Sequence, residues 1–210
     1  MLNQKNFKFI LASASPRRKE LIGHLQIPFS VLTADINEES SHTAPDLFAL
    51  EIATQKGESV MTNLKEAGST FAVSADTVVS LDGKIFGKPR DVNEARAFLL
   101  ELSGKEHSVF TAVTMFLRIQ DKVFQQGFVE ETKVTFNNIS DELMERYLAT
   151  KDSLDKAGAY GIQGPSLTFI SRVEGDYANV VGFPLSRFVN EAQIFFEKHL
   201  EKKDMWLNYF

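Results

Sequence analysis

An apolar run that passes at once into a helix-starting turn leaves the segment Phe7 to Leu25, FKFILASASPRRKELIGHL, few ways to fold. Phe9-Ile10-Leu11-Ala12 reads as a buried strand. Ser15 is a good N-cap and Pro16 a good first helical residue, so an amphipathic helix carrying Leu21, Ile22 and Leu25 follows almost directly. A strand end thus meets a helix N-terminus, with Ser13, Ser15, Arg17 and Arg18 beside it. Free backbone N–H groups and the positive end of the helix dipole make such a junction an anion site, and phosphate is the obvious anion. The plainer alternative is an ordinary turn with solvated arginines.

Charge and composition narrow the function classes. A net charge of −5 argues against broad electrostatic binding to nucleic acid, but leaves room for a small anion held by a local basic cluster and a metal ion. The absence of cysteine excludes disulfides, thiolate metal sites and a cysteine nucleophile. The four histidines, His24, His42, His107 and His199, are scattered, which argues against a histidine-based zinc site. No apolar run approaches the ~20 residues of a membrane-spanning helix. The N-terminus has no basic region followed by a long apolar one, so a soluble, cytoplasmic protein is expected. The 210 residues, 18 of them Phe, suit one domain over 1–210, with two lobes around a central cleft as one form of it.

The remaining pattern predicts a mixed α/β architecture, with a long central sheet and helices outside. Residues 29–33 read as a short strand, leading to an acidic loop at Asp35, Glu38 and Glu39. A helix starts at Pro45, and Lys56 is expected near its end. Residues 70–75 read as a strand closed by Asp76-Thr77. Asp82-Gly83 reads as the turn of a hairpin. Asp91 and Ser140 are expected to cap helices, and 107–119 with 123–136 to form a long antiparallel pair. Residues 154–164 are glycine-rich and aperiodic, as segments that approach a ligand often are. Residues 167–173 and 177–181 read as a last strand pair, and Pro184 opens a final helix. The tail 200–210 is open: disordered, folded back, or held for a partner.

The polar residues worth weighing lie at the expected element ends: Ser13, Arg17, Arg18, Glu38, Lys56, Asp76, Thr77, Lys88, Asp155, Lys156 and Gln163. If they converge, Glu38 and Asp76, with Asp155 as a further candidate, offer carboxylate oxygens suited to Mg²⁺ or Mn²⁺. The cations suit a polyphosphate, and the set fits metal-assisted phosphoryl chemistry. Each also has a structural reading, as a turn cap, a solvated carboxylate or a loop lysine. The sequence lacks G-x-x-x-x-G-K-[ST], and no G-x-G-x-x-G follows a strand, which disfavours a P-loop or dinucleotide enzyme.

Five motifs in order carry a resemblance: LASASPRRKEL from Leu11, SADTVV from Ser74, GKPRD from Gly87, LSG from Leu102 and DKAGAYGIQG from Asp155. Together they make the chain similar to the Maf family of nucleoside triphosphate pyrophosphatases. The resemblance implies a fold like that of inosine triphosphate pyrophosphatases. It implies cleavage between the α- and β-phosphates, with a divalent cation. It implies Asp76 as proton acceptor, and Ser13, Arg18, Glu38, Lys56 and Lys88 as polar groups of the cleft. It links Arg17, Thr77 and Gln163 to base choice. SADTVV and KAGAYGIQG resemble the branch acting on dTTP and UTP; the branch acting on 7-methyl-GTP carries glutamine in place of Thr77. A homodimer is implied by the resemblance alone. The alternatives are the 7-methyl-GTP branch, or a non-catalytic nucleotide-binding regulator of septum formation.

Overall fold

The computed structural model describes residues 7–33, 36–64, 68–200 and 204–210. Asp35 of the expected acidic loop therefore lies outside the described residues, as does 201–203 of the charged tail. The elements run β1 (Lys8–Ala12), α1 (Pro16–Gly23), β2 (Ser30–Val31), α2 (Pro45–Asn63), β3 (Thr70–Leu81), β4 (Lys84–Phe86), α3 (Val92–Leu102), β5 (Glu106–Ile119), β6 (Lys122–Phe136), α4 (Asp141–Ala149), β7 (Ile170–Glu174), α5 (Tyr177–Val181) and α6 (Leu185–His199). The architecture is mixed α/β, as the sequence pattern predicts: one seven-stranded sheet in the order β2-β1-β3-β5-β6-β7, with β4 on the edge of β3. β1 is parallel to β2 and to β3, whereas β3, β5, β6 and β7 run antiparallel in turn.

Local sequence explains most of these boundaries. The side chains of Ser15, Asp91 and Ser140 accept from Arg18 N, Glu94 N and Leu143 N and so cap α1, α3 and α4. Asp82 and Gly83 both have positive φ, 51° and 82°, as a two-residue hairpin turn whose twist matches its strands requires.

β3 organises the site. It runs unbroken through Asp76 and Thr77, which the sequence pattern placed after a strand end. Its first half pairs with β1, up to Ala12 opposite Ser74, and its last residues pair with β4 from Val79 onward. Among the described residues, 75–78 pair on the β5 side only. Asp76 and Thr77 thus sit in a gap in the ladder, just beyond the carboxyl end of β1, where open α/β sheets place their ligands. Continuity along β3 comes from β5, which pairs with it from Thr70 to Ser80.

Alternation along the strands sorts the core. On one face α2 covers Ile10, Ala72, Ala112 and Phe116. On the other, Phe71, Val73, Ala75, Val113, Met115 and Leu117 pack with Ile22 of α1 and with Phe188, Phe195 and Phe196 of α6. Farther along that face Val79, Val109, Val134 and Phe136 pack with α3 and α4 through Ala95, Leu99, Met144 and Leu148. Thr77 and Thr111, opposite each other in register, lie at the seam between these two cores.

The fold departs from the sequence pattern in three further places. Residues 177–181 form α5 rather than a strand, so β7 has no hairpin partner and pairs with β6. The side chain of Asp176 accepts from Ala178 N, and Gly182, at φ 121°, ends the turn. These caps override the β propensity of Val180 and Val181. β2 has only two residues. α2 continues to Asn63, so Lys56 is in mid-helix rather than near its end. Gly57 serves close approach: a Cβ there would lie 2.0 Å from Phe116 Cε2. The end of the chain takes one of the courses the sequence leaves open and folds back, with Trp206 buried and its ring 5.4 Å from Phe188 and 5.6 Å from Phe71.

Candidate active site

A cleft of 560 Å³ opens at the gap in β3. Ser13, Arg17, Arg18, Glu38, Lys56, Asp76, Thr77, Lys88, Asp155 and Gln163 all border it, although they come from β3, α1, α2 and four connecting segments. Alternation turns Asp76 and Thr77 to opposite faces of the sheet, and the gap in the ladder lets both reach the cleft.

Asp76 faces α2. Its Oδ1 accepts from Lys56 Nζ at 2.7 Å, and the same ammonium lies 2.8 Å from Glu38 Oε1. Lys56 and Asp76 are deeply set, with 15% and 11% of their side chains exposed, whereas Glu38 is half exposed. Burial pushes the Asp76 carboxyl above its ordinary value. Lys56 and Arg18 pull the other way, and Glu38 adds to the rise. The scaffold around the pair is rigid. Ser74 Oγ donates to Ala53 O at 2.6 Å, tying β3 to α2, and Gly57 lets the helix lie against Phe116 one residue from Lys56. The Glu38 loop is strapped to the same helix: Ser40 Oγ and Ser41 N donate to Glu51, and Gln55 Nε2 donates to Glu39 O.

Thr77 faces α1. Arg18 donates from Nη2 to Thr77 Oγ1 at 3.0 Å, from Nε to Gly182 O at 2.9 Å, and from Nη1 to Ser13 Oγ at 3.3 Å. Ser13 Oγ also accepts from Ser15 N, so the hydroxyl sits at the mouth of the α1 N-terminus. Burial lowers the Arg18 pKa from its usual value, against the pull of Asp76.

The rim is looser. Arg17 Nη1 donates to Asp155 Oδ2 at 3.0 Å, and Asp155 is 62% exposed. Asp155 also accepts from Lys156, whose ammonium is shared with Asp152 at 2.9 Å. Partial burial would raise the Asp155 carboxyl, but Lys156 and Arg17 outweigh it and the group lies below its ordinary value. Gln163 and Lys88 are exposed on the cleft wall, and among the described residues neither side chain has a hydrogen bond or ion pair. The glycine-rich segment is held by close approaches: Gly158 N donates to Gly87 O, beside Lys88, and a Cβ on Gly161 would meet Lys156 at 2.5 Å.

Several contributors escape a reading of the sequence. Gly182 enters through its carbonyl, which any residue type has. Thr111, Asn179 and Glu51 lie in segments read only as strand or helix. Gly57 carried the one legible signal, a glycine inside a helical pattern.

As to a metal, the donors are hard oxygens. Among the described residues no group of three acidic or histidine side chains forms a ready-made cage. Two carboxylates sharing one ammonium, in a cleft that also holds Arg18 and the N-terminus of α1, match the Mg²⁺ habit of using one or two carboxylates plus substrate phosphates.

A family model of Maf-like proteins matches residues 8–194. The chain is 42% identical over 186 residues to a dTTP/UTP pyrophosphatase of Carboxydothermus hydrogenoformans, covering 89% of this chain and 97% of that protein. It is 41% identical over 189 residues to a dTTP/UTP pyrophosphatase of Bacillus cytotoxicus, covering 90% and 95%. Among solved structures, the Ham1 protein of Staphylococcus aureus aligns with a TM-score of 0.39 and 12% identity, over 61% of this chain and 71% of that one.

Proposed function

The chain belongs to the family of Maf-like proteins, and on that premise we propose that it is a nucleoside triphosphate pyrophosphatase that hydrolyses dTTP and UTP to the monophosphate and pyrophosphate. The observation that carries the reading is the buried Asp76 carboxylate, hydrogen-bonded to Lys56 in a cleft that also holds Arg18 and a helix N-terminus.

Asp76 takes a proton from the attacking water, and its burial makes it a stronger base than an exposed aspartate. The water adds to the α-phosphorus and the bond to the β-phosphate oxygen breaks, releasing pyrophosphate. Arg18, Lys88 and Lys56 neutralise the phosphates, while Ser13 and the N–H groups of α1 cradle them. Glu38 and Asp76 would hold a Mg²⁺ or Mn²⁺ ion. Such an ion, when bound, supplies charge neutralisation and orients the polyphosphate. Asp155, tied to Arg17 and Lys156, is a further candidate ligand. Arg17 and Gln163 present donors suited to the carbonyl edge of a pyrimidine, and Thr77 acts beside them.

The two cores on one face of the sheet are taken as two lobes about the cleft. A cytoplasmic setting fits a nucleotide substrate, and no helix among the described residues is long and apolar enough to cross a membrane. A homodimer is a family expectation, to be checked by light scattering.

The test is pyrophosphate release from dTTP, UTP, CTP, 7-methyl-GTP and ITP, with Mg²⁺ or Mn²⁺ and a chelator control. Metal-dependent release from dTTP and UTP is expected. Preference for 7-methyl-GTP would keep the reaction and overturn the base assignment. Nucleotide binding without release would point to a regulator instead.

A further inference from the structure

The hydroxyl of Thr77 is matched to base choice, yet its hydrogen bonds point into the protein. Its oxygen meets Arg18 Nη2 at 3.0 Å and Thr111 Oγ1 at 2.9 Å. Thr111 Oγ1 in turn lies 3.0 Å from the backbone carbonyl of Asn179. Donor chemistry fixes the direction of this chain. A guanidinium only donates and a carbonyl only accepts, while each hydroxyl has one proton. The Thr111 proton is therefore spent on Asn179 O, so Thr111 must accept from Thr77. That uses the only proton of Thr77 and leaves its oxygen as a fixed acceptor for Arg18.

A second acceptor of Arg18 is tied to the same helix. Gly182 O takes Arg18 Nε, and Gly182 N donates to Asn179 O at 2.9 Å and to Ala178 O at 3.1 Å. The Asn179 side chain is itself anchored, donating to Val109 O at 3.0 Å and Thr132 Oγ1 at 2.9 Å. A closed circuit thus runs from Arg18 through Thr77 and Thr111 to α5 and back through Gly182. It lies at the seam between the two cores, where the flanking pairs Ala75–Val113 and Val79–Val109 are apolar. Thr111 is fully buried there, in a row where valine suits the packing. Its hydroxyl is the feature that packing alone leaves unexplained.

We infer that Thr111 is a positioning residue for the reaction: by taking the Thr77 proton it holds the Thr77 oxygen as an acceptor and so fixes the Arg18 guanidinium against the phosphates. This rests on the reading above, in which Arg18 meets the polyphosphate. Without the Thr111 hydroxyl, the Thr77 proton has no buried acceptor and its rotor is released. Arg18 then keeps Gly182 O and the shared Ser13 Oγ as held acceptors, while Thr77 Oγ1 still accepts but is no longer fixed in place.

The experiment is a cycle on dTTP turnover with Thr111→Val, Thr111→Ser, Arg18→Lys and the Thr111→Val/Arg18→Lys double variant, with melting temperature read alongside. Thr111→Val is expected to lower kcat/KM about tenfold, the scale of one hydrogen bond to a charged group, and Thr111→Ser to restore it to within about twofold of the unmodified chain. In the Arg18→Lys background Thr111→Val is expected to add less than about twofold, because it acts through Arg18. If Thr111→Val fails to fold, Thr111→Ala takes its place in the same cycle. An active unmodified chain with an unaffected Thr111→Val, a Thr111→Ser as slow as Thr111→Val, or losses that multiply in the double variant each overturn the inference alone. An unmodified chain that releases no pyrophosphate overturns the functional reading and this inference with it.

Discussion

Two ion pairs in one cleft differ in nearly everything except their chemistry. Lys56 and Asp76 meet at 2.7 Å on the cleft floor, with 15% and 11% of their side chains exposed. Arg17 and Asp155 meet at 3.0 Å on the rim, with 26% and 62% exposed. The floor pair joins a helix to a central strand, and Ser74 and Gly57 lock those two elements together. The rim pair joins a helix N-terminus to a glycine-rich loop. Burial moves the Asp76 carboxyl up despite its lysine, whereas Asp155, despite some burial, is carried down by Lys156 and Arg17. The same kinds of partner, a lysine and an arginine, thus accompany opposite shifts, because desolvation wins where water is excluded and loses where water remains. A raised carboxylate on a rigid floor suits proton abstraction. A solvated pair on a loop suits adjustment to different bases.

The sharpest way to break this contrast is Asp76→Asn. It is expected to reduce pyrophosphate release about a thousandfold, the scale of a lost general base, with the far-ultraviolet circular dichroism unchanged. Stability should move the other way. A carboxyl whose folded-state pKa is raised stabilises the fold below its unfolded value and loses that contribution as pH rises through the folded one. With chelator present, Asp76→Asn should therefore melt higher than the unmodified chain at neutral pH. The gap should close as pH falls below the ordinary carboxylate range. A gap that widens in acid would mean that Asp76 is stabilised in its charged form.

Lys56→Met comes next, with an expected loss of about a hundredfold in kcat/KM, because Asp76 and Glu38 are left facing each other without the shared ammonium. Gly57→Ala tests the frame rather than the charges. The added methyl must displace Phe116 and should cost roughly 1–3 kcal/mol, read as a lower denaturation midpoint, with a smaller loss of turnover. Asp155→Asn should do least: a change below about fivefold in kcat/KM for dTTP and an unaltered melting temperature, as for an exposed pair. A loss near that of Asp76→Asn would instead place Asp155 among the metal ligands and erase the distinction between floor and rim.

Much of the fold was legible because it is local. Ser15, Asp91 and Ser140 act on N–H groups three residues away, and Asp82-Gly83 supplies positive φ by itself. The misreadings share a different cause. Residues 177–181 have strand-like composition, but the Asp176 cap and the inward hydrogen bonds of Asn179 make them a helix. Asp76 resembled a residue capping a strand end because nothing in SADTVV reveals that β5 supports the strand beyond the last residue of β1. In the site, the residue types were visible and their partners were not. Lys56 gave no sign that it joins Glu38 to Asp76, nor Asp155 that it holds Arg17.

Residue order was enough to give which side chains are available, where most helices begin and where the Asp82-Gly83 hairpin turns, since those depend on contacts between near neighbours. Tertiary structure alone decided that Lys56 reaches Asp76 across 20 residues, Thr77 reaches Thr111 across 34 and Arg17 reaches Asp155 across 138. It also decided that the aromatic tail folds back onto Phe71 and Phe188. Those contacts follow from strand order and from how closely α2 and α5 press on the sheet, and such distances are set by the packing of the whole core rather than by any one segment.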